Sequence, residues 1–112
     1  MSESVKQFKK ERESLLKRLL ARDDINIKRF LALDDSVYRA GALDAKTKEL
    51  LGLVASLVLR CDDCVTYHIM QARDKGLTDK EFDEAMSIGL IIGGSITIPH
   101  VRRAVRCWED MN

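Results

Sequence analysis

The run Cys61-Asp62-Asp63-Cys64-Val65-Thr66-Tyr67-His68 places two thiols three residues apart and an imidazole four residues after the second. If the run is helical, Cys61 and His68 differ by only about 20° in azimuth, while Cys64 sits roughly 60° to one side and one turn before His68. All three therefore share a face. Two cysteines at this spacing can close a disulfide, because their α-carbons lie about 5 Å apart on a helix. The imidazole can accept or relay a proton near neutral pH, and a thiolate needs such a base or a positive field. Three readings of the residues stand side by side: redox catalysis, a metal site, and cysteines that merely pack in a core. A closed zinc site needs four ligands, and Cys61, Cys64 and His68 supply three. Cys107 is the candidate fourth, but next to Trp108 it also reads as a small buried hydrophobe.

These side chains need a scaffold. Residues 3–22 carry Val5, Phe8, Leu15, Leu16, Leu19 and Leu20 at helical spacing among charges, a stripe that needs a surface to cover. Asp23 and Asp24 are candidate caps for a second helix from Ile25, which Asp34-Asp35-Ser36 would break or restart. Asp44 caps a helix from Ala45 to about Leu59, whose second half is apolar nearly all round and is expected to be buried. Glu49 stands just before that apolar run, facing either solvent or core. A helix over 62–75 puts Cys61 at its N-cap or first turn, where unpaired amides and the helix dipole favour a thiolate. Gly76 suits its C-terminal end. Thr78 and Glu81 have capping-box spacing, with Leu77 at the staple position, and start a helix that Gly93-Gly94 weakens. Pro99 fits the first turn of a last helix, capped by Thr97 or Ile98, with Val101, Ala104, Val105 and Trp108 on its apolar face. No alternating strand, internal repeat or low-complexity tract is present, so the expected fold is all-α, a bundle of about five to six helices.

Bulk properties narrow the function. At 112 residues the chain is expected to form one domain, with 46% hydrophobic and 33% charged residues. A net charge of +1 gives no nucleic-acid footprint, and the Arg102, Arg103 and Arg106 strip reads as a solvated face. The apolar runs at 50–59 and 85–98 are too short to span a bilayer of about 30 Å, and no apolar signal core opens the chain. The expectation is a cytoplasmic protein bound to neither membrane nor nucleic acid. Three cysteines, an odd number, suit a reducing compartment, where a Cys-x-x-Cys pair is catalytic or metal-binding more often than a staple. His100 reads as a first-turn surface residue, Tyr67 as a half-buried aromatic able to line a thiol pocket, and Met70 and Met86 as core filler.

Glu49, eleven residues, Cys61-x-x-Cys64, three residues and His68 together resemble the signature of the AhpD-like alkylhydroperoxidases of the carboxymuconolactone decarboxylase family. The resemblance covers roughly residues 40–108, which divides the single AhpD-like helical domain of 1–112 into N-terminal helices (1–40) and a core (41–112) with the cysteines at the start of a central helix. It implies that Cys64 attacks peroxide and becomes a sulfenic acid, that Cys61 supplies a proton and closes the disulfide, and that Glu49 and His68 relay protons from Cys64. It further implies no cofactor and no metal, a small peroxide substrate, a dithiol reductant protein or small thiol, and a homo-oligomer, trimeric or hexameric, with sites near subunit contacts. The residues themselves favour Cys61 as the more acidic thiol, whereas the resemblance assigns attack to Cys64. Family members often carry a histidine just before the second cysteine. Here that residue is Asp63, and with Asp62 it should oppose thiolate formation. The alternative is therefore a redox sensor that forms the disulfide without turnover, or a decarboxylase-family relative without peroxidase activity.

Overall fold

A computed structural model describes residues 1–111. They form α1 (Glu3–Leu20), α2 (Ile25–Val37), α3 (Ala45–Val58), α4 (Asp62–Asp74), α5 (Asp79–Gly93) and α6 (Ile98–Asp110), with a 3₁₀ turn at Ser95–Thr97 leading into α6. The fold is all-α, and the cysteine pair stands at the head of α4.

Short polar side chains set the helix starts. Ser2 accepts the Val5 amide, Asp24 that of Ile27 and Asp44 that of Thr47. Thr78 accepts the Glu81 amide while Glu81 accepts the Thr78 amide, completing the capping box. Each such cap stabilises its helix by about 1 kcal/mol. Gly76 and Gly94, at φ +91° and +78°, supply the left-handed turns that end α4 and α5. One boundary differs from expectation. The polar cluster Asp34-Asp35-Ser36 does not interrupt α2, because the Ser36 hydroxyl turns back onto the Leu33 carbonyl at 2.8 Å within the helix.

The core lies between α3, α4, α5 and α6. Leu53 and Leu57 of α3 meet Val65, Ile69 and Ala72 of α4, Phe82, Ala85 and Met86 of α5, and Ala104 and Trp108 of α6. Burying each of the larger side chains contributes about 1.5–3 kcal/mol. Phe82 stacks on Trp108 with centroids 4.7 Å apart, and the indole N–H donates to Asp79 at 2.6 Å, so the large aromatic is packed and satisfied.

Two expectations of burial are corrected. Leu51 of α3 and Leu59, the residue that caps it, are 55% and 77% exposed. In α6, Val105 lies at the surface beside the buried Ala104 and Trp108. A helix with one neighbouring layer buries one stripe, and these residues point away from it. The N-terminal helices are barer still: Val5 is the buried residue of α1, and α2 has none. The Ser2 amide bonds to the Asp110 carbonyl at 2.9 Å, tying the start of α1 to the end of α6. Among the described residues no helix is long and apolar enough to cross a membrane.

Candidate active site

The cysteines sit on a joint between two helices. Arg60 takes the left-handed conformation at φ +61°, which lets its amide reach the Leu57 carbonyl and the Cys61 amide reach the Ser56 carbonyl, both at 3.0 Å. This paired closure satisfies the last carbonyls of α3. Cys61 is at the same time the N-cap of α4, its sulfur accepting the Cys64 amide at 3.2 Å. One residue therefore ends one helix and begins the next. Cys61 and Cys64 are joined as a disulfide with α-carbons 5.3 Å apart. Cys64 is exposed and Cys61 half-buried, so Cys64 is the more open residue of the two.

Glu49 points inward, which leaves it 3% exposed, with His68 8% exposed beside it. The His68 Nδ1–H donates to Glu49 Oε2 at 2.8 Å. A carboxylate on Nδ1 sets the tautomer and leaves Nε2 as the acceptor nitrogen of the neutral ring. The Tyr38 hydroxyl lies 3.5 Å from Nε2, with the two rings 5.2 Å apart. Burial first, then the carboxylates of Asp34 and Glu49, push the Tyr38 hydroxyl above its ordinary pKa, so it stays a neutral donor.

Gly52, one turn after Glu49 on α3, makes room for this arrangement. A Cβ there would stand 2.7 Å from His68 Cε1 and 2.9 Å from the Tyr38 hydroxyl. A glycine inside an apolar helix costs roughly 1 kcal/mol relative to alanine, so its presence there marks a close approach.

Cys64 and His68 both line a cavity of about 510 Å³, which Tyr67 and Asp63 share. Its far wall is α1, contributing Phe8, Leu15, Leu16 and Leu19, so the N-terminal stripe covers the thiol site. Arg12 lies over the Tyr67 ring with its guanidinium carbon 4.0 Å from the centroid. Burial is the main reason that the Tyr67 hydroxyl is raised above its ordinary pKa, and Arg12 acts against it.

The two aspartates between the cysteines part company. Asp62 accepts from His100 Nδ1 at 2.7 Å and from Arg103 at 3.1 Å, both on α6. Asp63 is exposed on the cavity side. His100 is thus in the first turn of α6, as its position beside Pro99 suggests, yet it is tied to the head of α4 rather than simply solvated. Cys107 is half-buried, and burial raises its thiol above the usual range. Among the described residues no group of three or more His, Cys, Asp and Glu side chains converges as a metal ion would require.

Of the four residues singled out from the sequence, Glu49 pairs with His68, Cys61 is joined to Cys64, and Cys64 and His68 line one cavity. Tyr38, Gly52 and Arg12 were not anticipated. Gly52 had a signal in its helix-interior position; Tyr38 and Arg12 reach the site from elements whose placement is purely tertiary.

The profile of the carboxymuconolactone decarboxylase family matches residues 27–106. A crystal structure of a Thermotoga maritima protein superimposes with a TM-score of 0.92 at 53% identity, covering 95% of this chain and 93% of the other. A second crystal structure of the same Thermotoga maritima protein, with a TM-score of 0.90, 51% identity and coverage of 94% and 89%, is described as a family member with a suggested involvement in the antioxidative response. A Legionella pneumophila protein of the same family shares the fold, with a TM-score of 0.88 at 22% identity and 97% of both chains covered. In sequence, an uncharacterized protein of the cox locus of Paracoccus denitrificans is 29% identical over 83 residues, 74% of this chain and 75% of its own length.

Proposed function

The chain belongs to the carboxymuconolactone decarboxylase family, and from that premise we propose that it reduces hydrogen peroxide or alkyl hydroperoxides through the Cys61–Cys64 dithiol. It carries a redox-active cysteine pair of the AhpD type. The observation that supports peroxide chemistry is the buried Glu49–His68 pair, one turn from an accessible Cys64 in a shared cavity.

In the reduced protein His68 Nε2 takes the Cys64 proton, with Glu49 stabilising the imidazolium that forms. The thiolate attacks one peroxide oxygen, the O–O bond breaks, and the departing alkoxide or hydroxide takes the proton from His68. Cys64 is then a sulfenic acid. The Cys61 sulfur attacks it, forming the disulfide, and its proton leaves with the hydroxyl as water. Two electrons pass from the dithiol to the peroxide, giving one alcohol and one water from an alkyl hydroperoxide, or two waters from hydrogen peroxide. A dithiol reductant protein or small thiol restores the pair, which suits a reducing cytoplasm.

The direct test needs no knowledge of the physiological reductant. Reduced protein mixed with limiting cumene hydroperoxide or hydrogen peroxide should lose two thiols per peroxide consumed, within seconds. Thiols that persist for minutes at the rate of free cysteine would reject the proposal.

A redox sensor is the second reading, and Asp63 beside Cys64 on the cavity side favours it. A sensor would form the same disulfide reversibly but show no multiple turnover with a dithiol reductant.

We further propose that the chain assembles as a homo-oligomer, a trimer or hexamer. Phe30 and Leu33 of α2 are 68% and 62% exposed, and Ile91 and Ile92 of α5 84% and 64%, more apolar surface than a monomer of this size usually shows to water. Light scattering should give three or six times the 12.7 kDa chain mass. A monomer at micromolar concentration would refute assembly.

A further inference from the structure

The Asp63 carboxylate poses an electrostatic problem at the nucleophile, and a residue of α1 offers the answer. Around Cys64 the charged groups come from several elements. Glu11 and Arg12 reach the cavity from α1, Asp34 from α2, and Asp63 and His68 from α4 itself. Glu49 of α3 is engaged by His68, and Asp62 is engaged by His100 and Arg103 of α6. What remains on the cavity surface is three carboxylates, Glu11, Asp34 and Asp63, and one permanent cation, Arg12. Three carboxylates alone would hold Cys64 as the neutral thiol, which is a poor nucleophile.

Arg12 is not spent on those carboxylates. Among the described residues no ion pair includes it. Its guanidinium instead rests on the Tyr67 ring, 4.0 Å from the centroid. Tyr67 follows Cys64 by three residues on α4, so their side chains are neighbours on one helical face. An arginine held flat by an aromatic ring keeps its charge and its N–H donors available at the ring's edge. The cavity that Arg12 lines is also the one that Cys64 lines.

We propose that Arg12 is the positioning cation of this site, holding the Cys64 sulfur as a thiolate against the field of Asp63. The inference rests on the reading of Cys64 as the attacking thiol. It assigns α1 a part in the chemistry beyond covering the cavity, and it gives the position before Cys64 freedom to be acidic.

The test uses the reduced full-length protein and does not require turnover. The pH midpoint of Cys64 thiolate formation is read from absorbance near 240 nm and from site-resolved iodoacetamide alkylation by mass spectrometry. Arg12→Gln should raise the midpoint and slow Cys64 alkylation at pH 7 by about three- to tenfold, because an opposite charge facing the same cavity favours the ionised form. Arg12→Lys should retain most of the wild-type rate, since it keeps the charge. Asp63→Asn should lower the midpoint, and added to Arg12→Gln it should restore much of the loss. An unchanged midpoint in Arg12→Gln overturns the proposal, as does an equal shift in Arg12→Lys and Arg12→Gln, which would make the residue a packing element. If Arg12→Gln shifts the midpoint in a protein that consumes no peroxide, the role of Arg12 stands and the peroxidase reading falls. If peroxide is consumed and the midpoint does not move, the reverse holds.

Discussion

Replacing Cys64 with serine lowers dithiol-dependent peroxide consumption by at least about a thousandfold, to the uncatalysed background. The hydroxyl is a far weaker nucleophile at neutral pH, and neither of the other two thiols lines the cavity. Cys61 is half-buried with its sulfur accepting the Cys64 amide, and Cys107 lies on α6, its ionisation opposed by burial. The companion Cys61→Ser separates nucleophile from resolving thiol. That variant should reduce one equivalent of peroxide and stop, leaving a sulfenic acid on Cys64 that dimedone captures. If the pattern inverts, with Cys64→Ser giving the trapped sulfenic acid on Cys61, the thiolate-favouring position at the helix N-terminus has won and the roles must be exchanged. Turnover above a tenth of wild type in Cys64→Ser would remove the dithiol from the mechanism altogether.

Glu49→Gln should cost about a hundredfold in the rate constant for peroxide reduction while leaving the fold intact. The amide oxygen of glutamine can still accept the Nδ1–H of His68, so the ring keeps its tautomer and orientation. What disappears is the negative charge that stabilises the imidazolium when His68 takes the Cys64 proton. Because the wild-type carboxylate and imidazole are both buried, their coupling is little screened by solvent or salt. The loss should therefore persist at high ionic strength. Stopped-flow measurement of the first turnover on reduced protein reads this step before any reductant matters. A rate within twofold of wild type would show that the pair serves packing and not proton transfer.

The readable parts of the sequence are those in which cause and effect lie close along the chain. Asp44, Thr78 and Gly76 announce helix ends because a cap acts within three or four residues. Cys61, Cys64 and His68 share a face through helical periodicity alone. The inward turn of Glu49 is different: it depends on how α3 crosses α4, and spacing along the chain suggested a partner only through the family resemblance. Tyr38 and Arg12 arrive at the site from the end of α2 and from α1, whose positions are set by tertiary contacts distant in sequence. The apolar runs misled in one respect. Leu51, Leu59 and Ile91 are apolar yet lie outside the single-chain core, and hydropathy alone does not distinguish such residues from those that fill it.

The joint at Arg60 and Cys61 has a consequence for how relatives of this chain can be recognised. Since the closing bonds of α3 and the opening bond of α4 meet on Cys61, no loop exists there to absorb a change in length. One residue inserted in the helix between Glu49 and Cys61 would turn the glutamate by about 100° and move it about 1.5 Å along the axis. It would no longer meet His68. The interval from the acid to the first cysteine therefore acts as a ruler, fixed by the pitch of a helix. Chains that keep both cysteines and the histidine but alter that interval should be grouped apart, as proteins that have kept the thiols and given up the relay.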